Sequence, residues 1–168
     1  MEFPKRKRIR LTDYDYSTSG VYFITACSRD REPLFWSKTF PGAVGEAISR
    51  PSNAVPIPYA LTTHGKTVEQ AIFNIPEHYM GVFVDKYVIM PDHVHLLMRM
   101  ENDGRLIAAP TVNTVVGQMK RWASKQAGIS LWQKSYYEHV IRNAVDYEEI
   151  YTYIEGNPAR WLEKHSLS

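Results

Sequence analysis

Residues 82–100 read VFVDKYVIMPDHVHLLMRM, and the pattern of this segment is the main indication of the fold class. Two runs rich in β-branched and apolar residues, 82–90 and 93–100, lie on either side of Pro91-Asp92. Such runs favour β-strands, and a Pro-Asp pair is typical of a turn. Because so few residues join the two predicted strands, we expect them to pair as an antiparallel hairpin.

The segments before the hairpin add a strand and a helix. Residues 20–27 (GVYFITAC) predict a strand, because they are rich in β-branched and aromatic residues. Residues 41–63 contain four prolines and two glycines and predict an irregular loop or hairpin. Residues 65–78 predict a helix, because apolar side chains recur there at helical spacing until Pro76 closes the pattern.

Two more helices are predicted after the hairpin. Residues 111–127 carry an apolar stripe and predict a helix that Gly128 ends. An aromatic segment, residues 131–137, leads to a last predicted helix over residues 144–156. We expect that helix to end at Asn157-Pro158, because a residue before proline avoids the helical region. The order strand–helix–strand–strand–helix predicts an α+β sandwich, with one sheet and helices on one or both faces.

The composition limits the class of protein. With 168 residues, 44% hydrophobic and 23% charged, the chain predicts one globular domain over residues 1–168 rather than a disordered protein. Cys27 is the single cysteine, which excludes an internal disulfide framework and a cysteine-only zinc site. The charged residues 1–10 predict no secretory signal. No apolar run approaches the ~20 residues that span a bilayer, so we expect a cytoplasmic protein with no membrane partner.

The net charge of +2 conceals two basic segments. Residues 1–10 form a basic N-terminal arm with five cations against Glu2, a charge of +4, and residues 117–143 hold five cations against Glu138, again +4. These cations are Lys5, Arg6, Lys7, Arg8 and Arg10 in the arm, and Lys120, Arg121, Lys125, Lys134 and Arg142 in the second segment. Such patches are typical of nucleic-acid-binding proteins, and a solvated tail beside a solvated helix face gives the same pattern.

His93 and His95 are separated by one residue on a predicted strand, so both side chains point to the same face of the sheet. Two neutral imidazoles on one face can bind one divalent metal ion. Two unrelated histidines on a half-exposed strand would look the same in the sequence. The apolar setting favours the metal, because burying two unpartnered histidines is costly. A third ligand must then come from elsewhere in the chain.

The last predicted helix presents Tyr153 away from its apolar stripe. At 100° per residue, Tyr153 projects roughly 110° from the centre of the stripe that carries Tyr147 and Tyr151. Asn157, four residues later, falls on nearly the same side as Tyr153. A hydroxyl and an amide are thus presented together, although a surface tyrosine beside a C-terminal Asn cap fits the same spacing.

Three blocks of sequence together resemble one known family. Residues 90–97 (MPDHVHLL) resemble the HUH motif of the single-tyrosine transposases, and residues 132–143 (WQKSYYEHVIRN) resemble the segment before their tyrosine helix. Residues 153–158 (YIEGNP) are similar to the tyrosine helix of the REP-associated tyrosine transposases, relatives of the small insertion-sequence transposases. The resemblance covers roughly residues 8–162. Gly156 directly before Asn157, and Asp92 where the family often has Asn, depart from the family pattern.

The resemblance implies a ferredoxin-like or RRM-like α+β fold, with a central antiparallel sheet and flanking helices. It also implies a divalent metal, Mg²⁺ or Mn²⁺, held by His93, His95 and a polar residue four positions after the nucleophile. That third ligand maps onto Asn157, and the nucleophile maps onto Tyr153. Both a monomer and a homodimer are compatible with the sequence.

The implied activity is that of a DNA endonuclease and strand transferase acting on single-stranded DNA that flanks a REP hairpin. Attack by Tyr153 would form a covalent 5′-phosphotyrosine and leave a 3′-OH. Such a protein would work in the bacterial cytoplasm at the nucleoid. From their charge, we expect Lys120, Arg121, Lys125 and Arg142 to contact phosphates and the arm to hold a hairpin stem or a narrow groove.

Two other functions remain compatible with the sequence. One is a binding module for hairpin nucleic acid that does not cleave it. The other is a histidine-based phosphoesterase. Enzymes of that class generally carry a histidine motif on each of two strands, whereas this chain has one H-x-H.

Overall fold

A computed structural model of the chain describes residues 19–38, 51–102 and 108–165. Its helices and strands are β1 (Gly20–Cys27), α1 (Thr63–His78), β2 (Val82–Ile89), β3 (His93–Met100), α2 (Val112–Ala127), β4 (Tyr137–Ile141) and α3 (Ala144–His165). The basic arm lies outside the described residues, as does the first part of the predicted 41–63 loop. No helix within these described ranges has the length and apolar character needed to cross a membrane.

The four strands form one sheet in the order β2-β3-β1-β4, and every neighbouring pair is antiparallel. The chain order βαββαβ with this strand order is the ferredoxin-like arrangement, followed here by α3. The β2–β3 hairpin is confirmed, with the turn at Pro91-Asp92. The α+β fold with a central antiparallel sheet is therefore confirmed.

Helices α1 and α2 cover one face of the sheet. Tyr87 of β2 points to this face, where its hydroxyl donates to Glu69 Oε1 of α1 (2.9 Å) and its ring lies edge-on to Phe73 of α1. The strand residues on this face are fully buried, among them Ile24, Ala26, Val94, Leu96 and Met98. Burial of this apolar surface is the main favourable contribution to folding. We call this side of the sheet the apolar face.

Helix α3 lies on the opposite side, which we call the site face. Three polar contacts hold it there. At its first turn, Asp146 pairs with His139 of β4 (2.9 Å), and two adjacent residues of β2 make the other two contacts. Tyr147 donates to Asp85 Oδ2 (3.1 Å), and the Lys86 ammonium pairs with Glu155 Oε1 (2.9 Å). Ile154 and Pro158 are the buried residues of this helix.

The structure corrects the predicted end of the last helix. Helix α3 continues through Asn157-Pro158 to His165, instead of stopping at residue 156. The proline removes one backbone N–H, but Pro158 is buried, and Trp161 packs edge-on against Trp36 (ring centroids 5.0 Å apart). Tertiary packing beyond the proline therefore outweighs the local preference of the residue that precedes it.

Strand β4 is the second difference from the predicted order. Residues 137–141 (YEHVI) pair with β1 and form an edge strand, although the sequence analysis assigned no strand after α2. The segment has only five residues, the first exposed and the other four half-buried, so its apolar alternation is weak. Helix α1 also begins earlier than predicted, at Thr63, because the Thr62 hydroxyl accepts from Gly65 N (3.0 Å) as an N-cap.

Candidate metal and tyrosine site

His93 and His95 point to the site face, as the strand spacing predicts. Their rings lie 4.7 Å apart, centroid to centroid, at an interplanar angle of 71°. Both side chains are buried, His93 being 8% exposed and His95 3% exposed. Side chains alternate along β3, so Val94 and Leu96 point into the core and the two imidazoles point to the opposite side of the sheet.

Each imidazole is held through its Nδ1 atom. His95 Nδ1 lies 2.8 Å from Thr25 Oγ1, which the β1–β3 register places directly opposite. His93 Nδ1 lies 2.6 Å from Asp92 Oδ1. Metal-binding histidines are commonly oriented in this way, with one ring nitrogen fixed by a partner and the other left for the metal.

The other nitrogen of His95 is an unsatisfied buried atom. His95 Nε2 is buried and has no hydrogen-bond partner among the described residues. Leaving a buried polar atom unpaired costs about 1–3 kcal/mol, so such atoms in folded proteins call for an explanation. A divalent metal bound at Nε2 would satisfy it, and the residues present therefore fit a metal site.

The protonation of His95 suits a metal ligand. Burial lowers the pKa of His95 well below its usual value, and the nearby positive charges of His93, Arg31 and Arg160 lower it further. The imidazole is therefore neutral at physiological pH and offers a lone pair rather than a positive charge.

A second layer of contacts fixes His93. Arg31 Nε pairs with Asp92 Oδ2 (3.0 Å), while the other carboxylate oxygen holds His93. Burial acts to raise the pKa of Asp92, but His93 and Arg31 outweigh it and the pKa is lowered. Asp30 and Arg31 both have positive φ (54° and 59°), a strained conformation that brings the guanidinium back toward the hairpin turn.

Tyr153 lies beside the histidines. Its ring is 5.5 Å from that of His95 and 6.0 Å from that of Phe23, in edge-on contacts. The structure therefore brings the sequence-predicted tyrosine to the predicted histidine pair, although 58 positions separate Tyr153 from His95 in the chain.

Asn157 lies one helical turn beyond Tyr153. Its Nδ2 donates to the Tyr153 carbonyl oxygen (3.0 Å), so the amide is held on the helix surface with its oxygen still able to bind a cation. No group of three or more His, Cys, Asp or Glu that could hold a metal occurs in the described ranges. Asn157 stays the predicted third ligand.

The predicted DNA-binding cations separate into different groups. Lys120 Nζ donates to the carbonyl oxygens of Gln133 (2.7 Å) and Ser135 (3.1 Å), so it fixes the segment between α2 and β4. Burial lowers its pKa. Arg121, Lys125 and Arg142 are exposed, as phosphate contacts require. Lys5, Arg6, Lys7, Arg8 and Arg10 lie outside the described residues, and all of these assignments remain predictions.

The sequence analysis missed several residues of this site. Thr25 and Arg31 come from β1 and the turn after it, and only the strand register places them beside the histidines. Arg160 lies over the Tyr153 ring (4.8 Å from the guanidinium carbon to the ring centroid). Its spacing of seven residues from Tyr153, two helical turns, was the available signal, but the predicted helix ended before it.

Comparison with known proteins gives relatives over most of the chain, and no protein-family model matches. A Haemophilus influenzae protein described as uncharacterized is 32% identical over 177 residues, covering 93% of this chain and 89% of its own. A second H. influenzae protein, provisionally named a REP-associated tyrosine transposase, is 27% identical over 156 residues (87% and 74%). The REP-associated tyrosine transposase of Escherichia coli K12 is 26% identical over 110 residues (63% and 62%).

A solved structure shares the fold. It is that of a REP-associated tyrosine transposase bound to a REP hairpin, and it matches with a TM-score of 0.60 at 21% identity. The match covers 88% of this chain and 71% of that one. The chain is therefore similar in sequence to named REP-associated tyrosine transposases, and it shares the fold of the one of known structure.

Proposed function

We propose that this protein is a metal-dependent DNA endonuclease and strand transferase that acts on single-stranded DNA next to a REP hairpin. One observation carries the proposal: the Tyr153 ring lies 5.5 Å from that of His95, whose buried Nε2 atom has no hydrogen-bond partner among the described residues. A nucleophile and an open metal-ligand atom are two parts of metal-assisted phosphodiester cleavage by tyrosine.

The residues that would hold the metal are His93, His95 and Asn157. A divalent ion bound there would supply Lewis-acid stabilisation of the negative charge on the phosphate. The chain's own contribution is orientation. Thr25 and Asp92 fix the two rings through Nδ1, and burial keeps His95 neutral by lowering its pKa.

The proposed reaction exchanges one phosphodiester for another. The Tyr153 hydroxyl oxygen attacks the scissile phosphorus, the bond from phosphorus to the 3′ oxygen breaks, and the phenolic proton is balanced by the proton that the 3′ oxygen gains. The products are a 5′-phosphotyrosine and a 3′-OH. Attack of another 3′-OH on the phosphotyrosine reverses the step and joins strands without a nucleotide cofactor.

Hairpin DNA is the proposed substrate for two reasons. The relative of known structure is bound to a REP hairpin, and this chain presents exposed cations at Arg121, Lys125 and Arg142 that suit a phosphate backbone. An exposed Tyr137 on β4 lies edge-on to Phe23 (6.3 Å), next to the Tyr153 contact, where an unpaired base can stack.

The test is the formation of a covalent adduct with labelled hairpin-flanked single-stranded DNA in the presence of Mn²⁺. The wild type is expected to give a denaturation-resistant protein–DNA band, and Tyr153→Phe is expected to give none. Tyr151→Phe is the matched control on the same helix, because the Tyr151 hydroxyl accepts from Lys86 rather than facing the histidines. Cleavage that persists in Tyr153→Phe contradicts the tyrosine mechanism, and hairpin binding without any adduct in the wild type indicates a binding module instead.

A further inference from the structure

Arg160 covers the tyrosine that the proposed function uses. Its guanidinium carbon lies 4.8 Å from the centroid of the Tyr153 ring, and one of its terminal nitrogens donates to the Tyr153 carbonyl oxygen. The side chain is half-buried and runs back along α3 toward the N-terminus, as long helical side chains do. The Tyr153 ring therefore has His95 and Phe23 as edge-on neighbours and a planar cation over its face.

Gly156 makes room for this arrangement. A Cβ at residue 156 would lie 2.5 Å from Arg160 Nη1, closer than real Cβ atoms approach, and 3.3 Å from its Cζ, a tight contact. Glycine inside a helix is unfavourable relative to alanine, so a glycine in the middle of α3 carries a cost that this close approach explains. Gly156, which departs from the family pattern, is thus the residue against which the Arg160 guanidinium packs.

A second glycine–arginine pair in the same chain provides a contrast. Gly117 and Arg121 on α2 have the same spacing of four residues, but a Cβ at residue 117 would lie 4.0 Å from Arg121 Nη1. That distance is ordinary van der Waals contact. Close packing of arginine on glycine is therefore specific to α3 and does not follow from the spacing alone.

We propose that Gly156 and Arg160 form a positioning unit for Tyr153, in which the guanidinium lies across the glycine and holds the phenol ring against His95. The inference rests on the proposed role of Tyr153 as nucleophile. A planar guanidinium restricts ring rotation over a flat surface, which an ammonium group does not do. Arg160 is on this account a positioning residue, and its loss affects the rate of attack more than the binding of DNA.

If Arg160 and Gly156 orient the Tyr153 ring, substitutions at either residue should slow the formation of the adduct. Small misplacement of a reacting group can slow a reaction by as much as about 100-fold. Arg160→Ala is therefore expected to lower the single-turnover rate of adduct formation by about 10- to 100-fold, with DNA affinity within about 3-fold of wild type. Gly156→Ala is expected to give a similar loss, because its methyl group displaces the guanidinium. Gly117→Ala, the matched control, is expected to leave the rate unchanged.

The coupling between the two residues gives a sharper test. If the glycine acts by accommodating the arginine, Gly156→Ala has little further effect on the rate when Arg160 is already alanine. Arg160→Lys keeps the positive charge and loses the planar surface, so it is expected to retain DNA affinity and not to restore the rate. Full recovery of the rate by Arg160→Lys, or independent losses from the two substitutions, overturns the proposal.

A measurement without DNA separates this inference from the proposed function. With 3-fluorotyrosine incorporated at position 153, the ¹⁹F resonance of the free protein reports the environment and mobility of the ring. Arg160→Ala and Gly156→Ala are expected to shift and narrow it in the same direction, and Gly117→Ala is expected not to. These changes in a protein that forms no adduct would refute the proposed reaction and support the positioning unit. An unchanged ¹⁹F signal in Arg160→Ala overturns the unit, even where adduct formation by the wild type supports the reaction.

Discussion

The two faces of the sheet differ in how their residues are held. On the apolar face, Ile24, Leu96 and Met98 are fully buried against α1 and α2, and each contributes chiefly through its volume. On the site face, neighbouring positions of the same strands carry Thr25 and His95, and these depend on one partner at one distance. One strand therefore carries core packing on one side and the candidate site on the other, so changes on the two sides should have separable effects.

The largest effect is expected on the apolar face. Leu96→Ala removes a fully buried side chain between the sheet and the helices, so we expect the free energy of unfolding to fall by about 2–5 kcal/mol. Denaturant unfolding measures this loss. The affinity for Mn²⁺, measured by calorimetry on the folded protein, is expected to stay within about 3-fold of wild type. A large loss of Mn²⁺ affinity would show that the two faces are coupled and would contradict their separable effects.

On the site face, the next largest effect is expected from Asp92→Asn. This change weakens the contact that orients His93, and loss of such an outer contact typically lowers metal affinity about 10- to 100-fold. Titration with Mn²⁺ measures the change. Asp30→Asn is the matched control, because Asp30 is next to Arg31 in the chain but pairs with Arg29 in an exposed contact. Equal Mn²⁺ affinities in the two variants would contradict the orienting role of Asp92.

The ion pair between Lys86 and Glu155 provides a smaller, asymmetric effect. Glu155→Gln leaves a buried ammonium without its carboxylate, so we expect a loss of about 1–2 kcal/mol in the free energy of unfolding, reduced because Glu155 is half exposed. Lys86→Met removes the buried charge itself and is expected to change this free energy by less than about 1 kcal/mol. Denaturant unfolding of both variants decides the order. A greater loss in Lys86→Met would show that the pair itself stabilises α3.

The smallest effect is expected from pH, at Tyr147. Burial and the Asp85 carboxylate raise the pKa of Tyr147 from 10.0 to about 12. Because the folded-state pKa is above the unfolded value, the stability that this group contributes is complete below pH 10 and is lost as the pH rises toward 12.

The Tyr147→Phe variant isolates this contribution. Between pH 10 and 12 the free energy of unfolding should fall for both proteins, but by on the order of 1 kcal/mol less for Tyr147→Phe than for wild type. This figure is reduced for the partial exposure of the phenol. Parallel unfolding curves at several alkaline pH values measure the difference. If the free energy of unfolding falls equally with pH in the two proteins, the Tyr147 hydroxyl does not contribute to holding α3.

The sequence predicted the parts of the molecule that depend on local pattern. The β2–β3 hairpin follows from two apolar runs around Pro91-Asp92, and the shared face of His93 and His95 follows from the alternation of a strand. Strand β4 was missed because five residues, none of them fully buried, give too weak a pattern to predict a strand. Its existence depends on pairing with β1, a partner more than 100 positions away.

The sequence predicted the tyrosine and the histidine pair that the structure brings together, and it did not predict the side chains around them. Tyr153 was placed from its angle on a helix, and its contact with His95 is observed. Thr25 and Arg160 could not be found in this way. The first depends on the register between two strands, and the second depends on a helix that continues through a proline. Both are consequences of tertiary packing rather than of local preference.

The continuation of α3 past Pro158 has a mechanical consequence. The helix has 22 residues, about 33 Å in length, and Tyr153 lies near its midpoint. One end is fixed by Asp146 against β4, and the other by Trp161 against Trp36. Because both ends are held, we expect the middle of α3 to move little relative to the sheet. If Tyr153 is the nucleophile, as proposed, we expect a DNA strand joined to it to remain above the sheet, and strand exchange would then depend on movement of the incoming DNA.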